Sequence, residues 1–175
     1  MTDLRYPIGK YEPVANPTPE YIADCIDTIE KLPAAMREAV AGLSEDQLET
    51  PYRPDGWTVR QVVHHVGDSH LNSVIRFKWT LTEATPTIKA YNEKDWAETD
   101  EVAGTPIEVN LAFLEALHRK WILLLRAMGP EDWKKELIHP ETGKHLTLAY
   151  MVGMYAWHSK HHVAHITSLR SRNNW

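Results

Sequence analysis

At 175 residues, with 43% hydrophobic and 25% charged residues, the chain has the bulk and balance of one folded domain spanning its whole length, which argues against a disordered chain. A net charge of −5, with Lys and Arg scattered, supplies no basic field for a phosphate backbone and argues against a nucleic-acid partner. The lone Cys25 cannot form an internal disulfide, the longest aliphatic run is only Ile122–Leu125, and the first residues lack the apolar core of a signal peptide, so a cytoplasmic protein with no membrane partner is expected.

Residues 1–17 carry Pro7, Gly9, Pro13 and Pro17 and read as an extended arm laid on the surface. A first helix is expected from about Pro19 to Ala41, kinked or split by Pro33. Ser44 and Gln47 have capping-box spacing and predict a short helical turn. After the turn Arg53-Pro54-Asp55-Gly56, a second box, Thr58 and Gln61, starts a helix that continues to about Leu81. A connection of roughly twenty residues follows, long enough to cross the length of a bundle and let consecutive helices run parallel.

Thr105 as cap, Pro106 at the first helical position and Glu108 predict the next helix, 106–128, with Gly129-Pro130 as its stop. Leu137-Ile138-His139 and His145-Leu146-Thr147 flank Pro140–Lys144 and read as a small β-hairpin before a last helix from about Thr147 to Arg172. The expected fold is all-α: a four-helix bundle with a long crossover between its second and third helices.

Within that frame, His158, His161, His162 and His165 crowd one segment, and His64-His65 stand on the helix begun at Thr58. A count at 100° per residue puts His158, His162 and His165 on the inward stripe of the last helix with Met151, Met154, Tyr155 and Leu169, and His65 at the flank of the Val59–Phe77 core stripe. His64 falls on another side, and His70 falls among the core valines as a structural histidine. Burying imidazoles without partners costs about 1 to 3 kcal/mol each, a cost that a shared metal ion removes. Two histidines one turn apart plus one from a neighbouring helix give three nitrogen ligands and an open position, the form of a catalytic site. A closed structural zinc site wants four ligands and cysteines that this chain lacks.

The segments Gly56-Trp57-Thr58-Val59-Arg60-Gln61-Val62-Val63-His64-His65-Val66-Gly67-Asp68-Ser69-His70 and Trp157-His158-Ser159-Lys160-His161-His162-Val163-Ala164-His165-Ile166 resemble the DinB/YfiT-like superfamily. The match is nearest its metal-dependent hydrolase and bacillithiol transferase branch, and the Arg5-Tyr6-Pro7-Ile8-Gly9 arm and Tyr150–Ile166 extend it over nearly the whole chain. The resemblance implies a four-helix bundle, a homodimer, and a metal held by His65, His158 and His162. It further implies one divalent ion per chain, with zinc first and nickel, iron, cobalt or manganese as alternatives.

The reaction implied is transfer of a low-molecular-weight thiol, of the bacillithiol type, to an electrophilic substrate. Hydrolysis by a water activated at the same open position is the alternative, and a metal sensor or store without turnover is a third reading. His161 and His165 form a second pair at ligand spacing, with His165 better suited to orienting a ligand, and Asp68 could accept a proton from a ligand imidazole or lie on the helix surface. Trp57 and Trp157 border the histidines and could wall a pocket. Arg53, Arg60 and Arg76 could hold carboxylates of an acidic thiol or be solvated surface. No general acid or base is placed by spacing.

Overall fold

The computed structural model describes residues 3–175; the first two residues of the expected arm lie outside them. Four long helices carry the fold: α1 (Pro19–Val40), α3 (Val59–Thr82), α6 (Ile107–Arg126) and α7 (Leu148–Asn173). Short helices α2 (Glu45–Leu48), α4 (Glu93–Ala97) and α5 (Asp100–Gly104) sit in the connections. A single 3-10 turn, Asp132–Lys134, precedes a two-stranded antiparallel hairpin, β1 (Glu136–Ile138) and β2 (His145–Thr147), with Leu137 opposite Leu146.

Side-chain meetings fix the helix directions. Asn110 donates to the Val63 carbonyl, His118 meets His70 and Trp121 meets Phe77, so α6 climbs in step with α3 and the two are parallel. Gly153 packs beside Tyr21 while Arg170 donates to the Ala39 carbonyl, so α7 runs parallel to α1. His65 with His162 and Ser69 with Tyr155 make α3 and α7 antiparallel. This is the bundle that the long crossover permits, although the crossover itself contains α4 and α5 and is not a bare loop.

Capping explains several boundaries. Both capping boxes form, at Ser44/Gln47 and Thr58/Gln61, and Thr147 caps α7 by accepting from the Tyr150 N–H. Thr105 does not cap α6. It is consumed as the C-cap of α5, with its N–H on the Glu101 carbonyl and its own carbonyl accepting from Arg60, and α6 begins at Ile107 behind Pro106. Nor does Pro33 split α1. The hydrogen bond it cannot make to the Ile29 carbonyl is replaced by a contact from His118 Nδ1 at 2.8 Å, and Leu32 and Met36 on either side are buried.

The core divides into two apolar clusters. One gathers Ile29, Phe77, Trp121, Leu125 and Tyr155; the other gathers Met36, Val59, Val63, Leu114 and Ile166. On each long helix the changeover falls near the level at which histidines, or the Ile29 carbonyl, face inward. A polar layer therefore crosses the bundle between two greasy halves. The arm lies over α7: Trp157 Nε1 donates to the Gly9 carbonyl at 3.2 Å and Tyr11 donates to the Tyr150 carbonyl at 3.3 Å.

Candidate metal centre

His65 sits on the second turn of α3, at a register set by the Thr58/Gln61 box, and is buried. His158 and His162 lie one turn apart on α7, the first half-buried and the second buried. One nitrogen from each ring falls within 4.8 Å of the other two. The Nε2 atoms of His65 and His158 stand 3.3 Å apart. Two nitrogens at zinc-ligand distance from one tetrahedral ion stand about 3.3 to 3.4 Å apart, so this pair has the spacing of ligands. His162 Nδ1 is buried with no hydrogen-bond partner, so its ring enters the group with an unmet polar atom. The three imidazoles fit a divalent cation.

Burial keeps these rings uncharged. Loss of solvation, followed by the nearby His165, pushes His65 down to about 4. Burial pushes His158 and His162 well below the ordinary histidine value, with neighbouring histidines adding to it. Neutral imidazole is the ligating form, so a cation binding near neutral pH has no proton to displace from them.

The other histidines have different tasks. His165 Nε2 donates to the Arg5 carbonyl at 3.2 Å and its ring stacks on Tyr52, so it anchors the arm and does not orient a ligand. His161 stacks on Trp157, with centroids 4.3 Å apart. His64 faces Glu101 on another side of α3. His70 is fully buried, between His158 and His118. Asp68 makes no hydrogen bond to the three rings; burial and then Glu101 push its carboxyl up to about 6.

A cavity of about 500 Å³ opens over the three imidazoles. Trp57 and Trp157 both wall it, with Tyr6 and Tyr52, and Trp57 lies 4.5 Å from His65 centroid to centroid. Arg5, Gln61, Lys94 and Glu98 supply its polar rim. A second cavity, of about 610 Å³, reaches the far side of His158 and is lined by Arg76, Tyr91, His139 and Tyr155; Glu93 belongs to both.

The three arginines separate. Arg60 is buried in ion pairs with Glu45 and Glu49 and holds α2 to α3. Arg53 lies over Tyr52 and donates to the Pro54 carbonyl. Arg76 is buried, uses one Nη on the Lys89 carbonyl, and leaves Nε without a partner at the second cavity. Sequence reasoning missed the arm's place over the site and Glu93 at its edge, because both follow from crossing helices and not from local spacing.

Residues 28–166 match the DinB superfamily. The chain belongs to that superfamily. A Bacillus mycoides (strain KBAB4) protein named "Putative metal-dependent hydrolase" is 52% identical over 175 residues, covering all of both chains. A Bacillus cereus (strain ATCC 10987) protein of the same name is 53% identical, again over all of both. The solved structure of YfiT from Bacillus subtilis, described as "a probable metal-dependent hydrolase with an unusual four-helix bundle topology", superposes with a TM-score of 0.96 at 46% identity over 98% of each chain. This DinB-superfamily chain has that bundle topology, with α1 parallel to α7 and α3 parallel to α6. Among the described residues, no helix is long and apolar enough to cross a membrane.

Proposed function

We propose that this chain is a divalent-metal-dependent enzyme in which His65, His158 and His162 hold the ion, zinc in the first instance, and that it transfers a bacillithiol-type thiol to an electrophilic substrate. The observation that carries the reading is a group of three neutral imidazoles on the floor of an aromatic-walled cavity, with no fourth donor in the group among the described residues. A sensor or store would close the coordination with protein, and His165, one candidate for a fourth ligand, is held on the Arg5 carbonyl. When bound, a divalent ion lowers the pKa of the thiol or water at its open position.

The chain's own residues supply the rest. Trp57, Trp157 and Tyr52 exclude water from one side of the cavity. Arg76, which lines the same cavity as His158 and has a buried nitrogen unpaired, suits the carboxylate of an acidic thiol. Hydrolysis is the second reading, supported by the names of the 52% and 53% identical relatives. We further propose a homodimer, which light scattering would show as twice the mass of one chain.

Metal content of the gently purified protein, by elemental mass spectrometry, tests the metal reading. About one divalent ion per chain is expected, and a chain that neither carries nor takes up zinc, nickel or manganese refutes it. Parallel assays of the loaded protein then decide the reaction. Electrophile-dependent consumption of bacillithiol supports transfer; ester or amide cleavage without thiol dependence supports hydrolysis.

A further inference from the structure

One side chain or carbonyl from each of the four long helices joins a line of contacts that ends at His158. Pro33 on α1 has no N–H, so the carbonyl four residues earlier, at Ile29, loses its helical donor. His118 of α6 brings its Nδ1 to 2.8 Å from that carbonyl. His118 Nε2 lies 3.0 Å from His70 Nδ1 on α3, and His70 Nε2 lies 3.1 Å from His158 Nδ1 on α7. His70 and His118 are buried, with Trp121 edge-on to both rings.

A carbonyl can only accept, and that fixes the direction of every contact in the line. His118 Nδ1 must carry the proton that it donates to Ile29. In a neutral ring Nε2 is then bare, so it accepts from His70 Nδ1. His70 Nε2 is bare in turn and accepts from His158 Nδ1. The proton of His158 therefore sits on Nδ1, and its Nε2 presents a lone pair toward His65 Nε2, 3.3 Å away. The opposite direction would set a bare His118 Nδ1 against the Ile29 oxygen, two lone pairs facing each other in a buried place.

We propose that His70 and His118 are positioning residues: anchored on the carbonyl that Pro33 leaves free, they set the tautomer and ring plane of His158 so that Nε2 is its ligating atom. The proposal rests on the metal reading of His65, His158 and His162. A ligand histidine whose second nitrogen donates to a fixed acceptor is both oriented and made more basic, and loss of such a partner weakens metal binding about 10- to 100-fold. Here the acceptor is another histidine, whose own state is set a further ring away.

Two measurements on the full chain test this. Long-range proton–nitrogen-15 correlation spectra of the metal-free wild type should show His158 protonated on Nδ1; a proton on Nε2 overturns the proposal. Zinc affinity, from competition with a chromophoric chelator, should fall about 10- to 100-fold in His118→Leu. The same variant should lose the single tautomer of His158. His118→Gln, whose amide can donate to Ile29 and accept from His70, should restore both. Wild-type affinity in His118→Leu, or an equal loss in both variants, overturns it. Should His118→Leu not fold, the wild-type tautomer decides. Failure of the wild type to bind zinc would instead overturn the metal reading, leaving the tautomer as a separate result.

Discussion

Three imidazoles with nitrogens inside 4.8 Å leave a two-ligand remnant when one is removed. His158→Ala is therefore expected to abolish zinc uptake while keeping most helicity, since alanine is a strong helix former. At zinc a hundredfold above its Kd the wild type should gain about 2.7 kcal/mol, a rise of roughly 5 to 10 °C in Tm, and the variant should gain none. Equal zinc-dependent stabilisation of both proteins would reject the ligand set. At Arg76, one unpaired buried nitrogen gives a second test: Arg76→Gln should raise KM for an acidic thiol about tenfold with kcat little changed. An unchanged KM would remove Arg76 from thiol recognition. Much of this arrangement was legible because helical spacing puts His158 and His162 one turn apart, the Val59–Phe77 stripe puts His65 at its flank and His64 on another side, and the family resemblance chose that pair over His161 and His165. The pairing of His70 with His118 was not, because the two stand on different helices and nothing local to either announces the other.

At the scale of elements, the arm and α1 pack tightly against α7 at Gly153. A Cβ at Gly153 would stand 2.3 Å from the Tyr21 hydroxyl and 2.7 Å from that of Tyr11, so both tyrosine side chains would have to shift. Gly153→Ala should cost about 1 to 3 kcal/mol by overpacking. It should also speed proteolysis of the arm, because Tyr11 and the Gly9 carbonyl hold the arm to α7. A variant with wild-type Tm and an equally protected arm would show that the tyrosines yield freely. The long helices, the hairpin and both boxes could be read from sequence because caps and periodicity are local signals. The cap at Thr105 failed for a tertiary reason, and so did the split at Pro33 that was the alternative to a kink. Thr105 has the chemistry of a cap, but α5 and Arg60 claim its backbone first. Pro33 has the chemistry of a helix break, yet a histidine from α6 satisfies the carbonyl it orphans.

For the whole molecule, a histidine layer between two apolar clusters makes metal-free stability depend on pH. Burial pushes His65, His118, His161 and His165 down from 6.5 to about 4. Between those values the unfolded chain binds protons that the folded chain refuses, so stability rises with pH across that window. The contribution is fully present above about 6.5 and is lost as pH falls toward 4. Asp68 works the other way: burial raises its carboxyl from 3.8 to about 6, so in the overlapping window the folded state holds a proton that the unfolded state releases. Burial also raises the Glu93 carboxyl, but four histidines outweigh two carboxylates in number, and the net slope stays positive. The Tm of the zinc-free protein should therefore drop steadily from pH 7 to pH 4.5, and zinc should hold it up at the upper end of that range, where protons do not yet compete for the same imidazoles. A flat or inverted profile for the zinc-free chain would mean that these rings take up protons while folded, and the layer would then be open to water throughout its depth and not only at the cavity over His158.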